Sequence, residues 1–123
     1  MANTVEFELV SPERLVKSQP VEMVVVPGAE GDLGVLPGHS PLIAEVRPGV
    51  IDIRERGEIS EQIFVSGGFC EVSPKRCTVL AEEAIPVVEI DKAVAEQRLH
   101  LAKETNDKNE QRIATAMVAA AAS

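Results

Sequence analysis

Residues 24–50 read VVVPGAEGDLGVLPGHSPLIAEVRPGV. Gly28, Gly31, Gly34, Gly38 and Gly49 are interleaved there with Pro27, Pro37, Pro41 and Pro48. Turn residues at that density break any helical period, and the apolar runs on either side have the length of strands. The segment therefore reads as strands joined by tight, stiff turns, with one histidine, His39, in the middle.

Working outward, period-two alternation continues to about Pro86. TVEFELV puts Val5, Phe7 and Leu9 on one face and Glu6 and Glu8 on the other. VEMVVV, residues 21–26, begins with Val21, Met23 and Val25 inward and then becomes apolar on both faces. LIAEV, VIDIR, QIFVS, FCEV and CTVLA follow, separated by turn signals at Arg47-Pro48-Gly49, Arg56-Gly57, Gly67-Gly68 and Ser73-Pro74. Short strands with no helix between them predict an antiparallel sandwich or barrel.

After Pro86 the period changes. PVVEIDKAVAEQRLHLAKE has Asp91 placed as an N-cap, with Val94 and Leu101 along one side and Ala95, Leu99 and Ala102 following at helical spacing. TNDKNEQ interrupts it, and Asp107 with Glu110 has the form of a capping box. A second helix carries Ile113, Ala114, Met117, Ala120 and Ala121 on one side. The chain thus divides into a β part at 1–86 and a short αα-hairpin at 87–123. Alanine-rich faces bury little area, so the hairpin is expected to dock weakly and act as a mobile appendage.

Composition narrows the function. The 123 residues are 45% hydrophobic with no Trp or Tyr and three Phe, so the core must be aliphatic. The net charge of −8 argues against nucleic acid as a partner, since no basic stripe exists to neutralise phosphates. That charge is uneven: residues 1–86 hold 7 Lys+Arg and 14 Asp+Glu, and residues 87–123 hold 5 and 6. The longest apolar run, AMVAAAA at 116–122, is too short to cross a bilayer, and the start MANTVEFELV lacks the pattern of a secretion signal. A cytoplasmic chain without direct membrane insertion is expected. Cys70 and Cys77 flank EVSPKR; a hairpin turn there sets Val72 opposite Cys77 and leaves Cys70 diagonal to it, so two buried free thiols are expected.

Chemistry in the glycine-rich loop finds little support. A phosphate-binding loop needs G-x-x-x-x-G-K-[ST], and before Gly38-His39-Ser40 the first position is Leu33, with no lysine. Glu30 and Asp32 would repel phosphate. His39 and Ser40 are adjacent in an extended segment and not placed as nucleophile and base. His100 reads as a solvent-side helix residue, and no His/Cys/carboxylate cluster has metal-site spacing. No catalytic residue, metal or cofactor is expected. Gly and Pro instead hold an exposed loop in one shape, with Leu33, Val35 and Leu36 among acidic residues, which suits a protein partner.

Three collinear stretches, FELVSPERLV, PGAEGDLGVLPGHSPLIAEVRPGV and FVSGGFCEVSPKRCTVLAEEA, resemble the epsilon subunits of rotary proton-translocating ATP synthases, called delta in mitochondria. The resemblance covers most of residues 5–86. It implies an N-terminal β-sandwich of about ten strands with a C-terminal helical hairpin, and a non-catalytic role in the central stalk. The partners it implies are the gamma subunit, the ring of c subunits and, through the hairpin, the catalytic alpha and beta subunits. The site would be peripheral, on the cytoplasmic face of the bacterial inner membrane. The c-ring contact corresponds to Glu30, Gly31, Asp32, Leu33 and Gly34, and the gamma-facing region to His39, Ser40 and Pro41.

Two departures follow from the same likeness. Relatives that restrain hydrolysis do so with basic residues on the second helix, where this chain offers only Lys108 and Arg112, so inhibition is expected to be weak or absent. Relatives that bind ATP carry I/L-D-x-x-R-A; here Ile90, Asp91 and Ala95 are kept but Val94 replaces the arginine, so no ATP binding is expected. A free-standing sandwich that binds a small ligand is the alternative, and it requires an apolar pocket.

Overall fold

The computed structural model describes residues 3–122. In chain order it has β1 (Val5–Ser11), β2 (Arg14–Val21), β3 (Met23–Gly28), β4 (Gly31–Val35), β5 (Leu42–Val46), β6 (Gly49–Glu55), β7 (Glu58–Val65), β8 (Gly68–Val72), β9 (Arg76–Ala81) and β10 (Ala84–Pro86). A 3-10 turn at Val87–Glu89 leads into α1 (Lys92–Glu104) and α2 (Lys108–Ala122).

The strands form two layers. One runs β10-β7-β6-β3 with β4 paired along β3; the other runs β5-β8-β9-β1-β2. They join at a single register point, Gly28 of β3 opposite Val46 of β5. The sandwich and its helical hairpin therefore match the expected class. Pairing is antiparallel throughout with one exception: β1 lies parallel to β9, from Glu6 opposite Arg76 to Val10 opposite Leu80.

Alternation places the core as read for β1, where Val5, Phe7 and Leu9 are fully buried. It misplaces β3. Val21 is buried, but the next core residues are Val24 and Val26, while Met23 and Val25 are half-buried on the outer face. The chain bends at Glu22 and passes from one sheet to the other, so the inward phase restarts one residue late. Ile51, Ile53, Ile63, Val65, Val72 and Val79 complete the filling between the layers.

Cys77 lies opposite Val72 and Cys70 opposite Val79, both thiols free and buried. Burial, reinforced by Cys70, pushes the Cys77 thiol up to about 12; burial also raises Cys70. Neither forms thiolate near neutral pH.

The hairpin lies on the outer face of the first sheet. Val50, Phe64 and Ile85 sit opposite one another on β6, β7 and β10, and Phe64 is fully buried. Ala95, Ile113, Met117 and Ala120 close over that row. Asp91 caps α1 by accepting from the N–H groups of Ala93 and Val94 at 2.9 and 3.3 Å, and Asp107 accepts from Glu110 N–H at 3.0 Å. Val94 and Leu101 do share a side of α1, but it is the solvent side, at 57% and 59% exposure. The inward stripe is Ala95 and Ala102, which lets the two helices approach closely.

Gly68 begins β8 at φ 144°, and a Cβ there would lie 1.9 Å from the Leu80 carbonyl oxygen. Gly68→Ala is expected to destabilise the fold by more than about 2 kcal/mol, measured by urea unfolding, because both backbone strain and overlap must be relieved.

Candidate functional site

The glycine-rich segment folds into a projecting β-hairpin. β3 and β4 are joined by a two-residue turn, Ala29-Glu30, closed by Gly28 opposite Gly31. Gly31 has φ 138°, and a Cβ on Gly28 would lie 2.6 Å from the Gly31 carbonyl oxygen, so the turn accepts no larger residue at either end. Glu30, Gly31, Asp32 and Gly34 are exposed, whereas Leu33 is half-buried and packs against the core. Leu33 thus anchors the tip more than it displays it.

The tip is tied down from β5 and the turn after it. Ala29 N–H donates to the Glu45 carbonyl at 2.8 Å, and Arg47 N–H to the Pro27 carbonyl at 2.8 Å. The Arg47 guanidinium donates to the Gly28 carbonyl at 2.5 Å and to the Asp32 carboxylate at 2.7 Å. Asp32 is therefore an ion-paired brace, leaving Glu30 as the outward charge. Sequence reading overlooked Arg47; its signal is an arginine directly before Pro-Gly, at the end of the strand beside the hairpin.

His39, Ser40 and Pro41 lie in the loop between β4 and β5, at the other end of β4 from Glu30 and Gly31. The four steps of β4 from Gly31 to Val35 alone span about 13 Å at ~3.3 Å per residue. The His39 ring bonds through Nδ1 to the Ser40 carbonyl at 2.7 Å, so its partner is backbone and not the Ser40 hydroxyl. Gly38 N–H reaches the Pro74 carbonyl at 2.7 Å, which joins this loop to the β8–β9 turn.

A second surface was not foreseen. On the outer face of the second sheet, Phe69 on β8, Leu80 on β9, Val10 on β1 and Leu15 on β2 stand in one cross-strand row. Phe69, Leu80 and Leu15 are 58%, 54% and 56% exposed. Ile43, the second residue of β5, lies diagonally beside Phe69 and is exposed too. Glu45, Glu71 and Glu8 border the row on the same face. The signal was present in FCEV and CTVLA, where Phe69 and Leu80 are the apolar residues out of phase with the core.

The hairpin residues fall into folding roles. Ile90 and Ala95 pack in the cluster around Phe64, and Asp91 is the cap. Val94 points to solvent. Lys108 and Arg112, near the start of α2, line an open groove of about 600 Å³ together with Arg47 and Pro48. Among the described residues no group of His, Cys, Asp and Glu is arranged to hold a metal ion.

A filled sandwich with a braced tip thus carries an exposed apolar row on one outer face. Comparison with known proteins defines its class. The family model of the ATP synthase delta/epsilon chain β-sandwich domain matches residues 4–87. An ATP synthase epsilon chain of Paramagnetospirillum magneticum is 58% identical over 87% of this chain and 80% of its own length. One of Rhodospirillum rubrum is 55% identical over 83% and 76%. A chain in the Euglena gracilis mitochondrial ATP synthase, solved with OSCP, F1 and c-ring, superposes with a TM-score of 0.83 at 23% identity, covering 98% of this chain and 82% of that one. A chain in the Tetrahymena thermophila central stalk and c-ring gives 0.61 at 14%. At those identities the two structures support the fold. The chain belongs to the ATP synthase delta/epsilon family.

Arg47→Ala is expected to speed amide exchange at Ala29 about fivefold, with global stability changed by less than ~1 kcal/mol, because the lost bonds are partly exposed. Hydrogen-exchange NMR measures both.

Proposed function

We propose that this chain is a non-catalytic subunit of the central stalk of a bacterial ATP synthase, seated between the gamma subunit and the c-ring. The observation that carries the reading is the uncovered row Phe69–Leu80–Val10–Leu15. The matching row on the other sheet, Val50–Phe64–Ile85, is covered by the chain's own hairpin. An exposed aromatic and aliphatic strip with an acidic border suits an apolar partner surface flanked by basic side chains. The gamma subunit would occupy it, extending the contact expected at His39, Ser40 and Pro41 through Ile43.

The braced tip then meets the c-ring with Glu30, Gly31, Asp32 and Gly34, while Leu33 holds it from behind. A stiff tip suits torque, because a yielding contact would lose rotation to local bending. The subunit would be peripheral at the cytoplasmic face of the inner membrane; no helix among the described residues is long and apolar enough to cross a membrane. The Ile90, Asp91, Ala95 remnant offers nucleotide no free guanidinium. Contact with the alpha and beta subunits would fall to Lys108 and Arg112, a weak grip. A small-ligand binder would need an apolar pocket; core side chains pack between the sheets, and the apolar cleft beside Val10, Phe69 and Leu80 is open to solvent.

Phe69→Gln with Leu80→Thr, both on exposed positions, is expected to cut co-purification with a tagged gamma subunit at least tenfold and to lower the unfolding midpoint by only a few degrees; undiminished capture would overturn the docking face. Lys108→Glu with Arg112→Glu is expected to change ATP hydrolysis by the assembled complex less than twofold. A several-fold rise in hydrolysis would show inhibition through the hairpin after all.

A further inference from the structure

The apolar row on the outer face of the second sheet is ringed by carboxylates that have no cation of their own. Glu45 on β5 lies directly opposite Phe69, at one end of the row. Glu71 follows Phe69 by two residues on β8 and so shares its face. Glu82, just past β9, stands on the other flank, where it lines an open cleft with Val10, Phe69 and Leu80. All three are exposed. Glu8 is on the same face but already engaged: it accepts from Arg76 Nη1 at 2.7 Å and from Thr78 Oγ1 at 3.3 Å. Among the described residues no cation pairs with Glu45, Glu71 or Glu82; the ion pairs present engage other carboxylates.

That arrangement discriminates between partners. An apolar row on an open sheet face can stack on the same row of a second copy. Sheets packed face to face lie about 10 Å apart, close to the Debye length at 0.1 M salt. Two copies stacked row on row would therefore crowd unpaired carboxylates, three from each copy, around one contact. Like charges so placed oppose association, and none of them gains a partner. A surface with lysine or arginine at its margin meets the opposite situation, since each carboxylate finds a cation as the row is covered. The edge of the same sheet offers a second copy no detour. β2 carries Lys17 and Pro20, and its register against β1 shifts between Leu9 and Val10, features that blunt strand addition.

We propose that Glu45, Glu71 and Glu82 form a selective rim, which closes the Phe69–Leu80 row to a second copy of this chain and leaves it open to an apolar surface bordered by basic side chains. The rim rests on the reading of that row as the docking face and deepens it: the apolar residues supply adhesion, and the carboxylates decide what adheres.

The test is sedimentation equilibrium of the full chain at about 0.15 M salt, where exposed charges still act over ~8 Å. Replacing all three by lysine (Glu45→Lys, Glu71→Lys, Glu82→Lys) gives a chain that also repels itself. Mixed with the unchanged chain, it is expected to form a one-to-one pair at least about tenfold tighter than either chain forms alone. The neutral set Glu45→Gln, Glu71→Gln, Glu82→Gln is expected to self-associate at least about tenfold more tightly than the unchanged chain. Phe69→Gln with Leu80→Thr, added to these chains, should abolish both effects. A mixed pair no tighter than the separate chains, a neutral set that behaves like the unchanged chain, or association that survives loss of Phe69 and Leu80 would each overturn the rim. No gamma subunit is present in the assay, so such a failure removes the rim alone. Undiminished capture by gamma after Phe69→Gln with Leu80→Thr removes the docking face and leaves the rim's effect on self-association standing.

Discussion

Gly28 is the point on which the arrangement turns. It is the last residue of β3 and pairs with Gly31 to close the projecting tip and with Val46 to join the two sheets. Its carbonyl also takes the Arg47 guanidinium. Three backbones converge there, and a side chain would overlap the Gly31 carbonyl. The hydrogen bonds that hold the layers together at this corner are therefore the same ones that orient the tip. Any force on Glu30 is delivered into the junction of the sheets, with no flexible linker between.

The two sheets use their outer faces differently. Each carries one apolar row across its strands, and the row on β6, β7 and β10 is satisfied internally by α1 and α2. The row on β8, β9, β1 and β2 has none of the described residues packed above it. On an acidic domain, a contiguous exposed apolar strip of this kind is the feature that marks a candidate interaction surface. β4 adds a second consequence, since the braced tip and the His39 loop are its two ends. One strand then fixes the distance between them.

Much of this was legible in the residues. Alternation in TVEFELV placed Val5, Phe7 and Leu9, turn residues located the tip, and Asp91 and Asp107 marked both helix starts. What escaped notice has a common cause. The phase slip at Glu22, the outward placement of Val94 and Leu101, and the exposure of Phe69 and Leu80 depend on which face another segment covers. Periodicity gives two faces and does not say which is inside when both are apolar. Likewise, the pairings of Arg47 with Asp32 and of Arg98 with Glu83 join residues 15 apart, where a charge in sequence has many prospective partners. Of the residues that the resemblance assigned to the tip, Leu33 packs against the core and Asp32 pairs with Arg47, so both support it from within.

The parallel pairing of β1 with β9 sets the order in which the molecule can be made. β1 has a local partner in β2, so a hairpin can form as soon as about twenty residues exist. Its other edge waits for Arg76–Ala81, and until those residues are available the second sheet lacks the strand that links that hairpin to β8. Closure of the sandwich is thus a late, non-local event that places the folding of residues 5–86 among the slower, high-contact-order β topologies. On a ribosome, a nascent chain shorter than that would display Phe7 and Leu9 unburied, which makes the early strands natural clients for a chaperone.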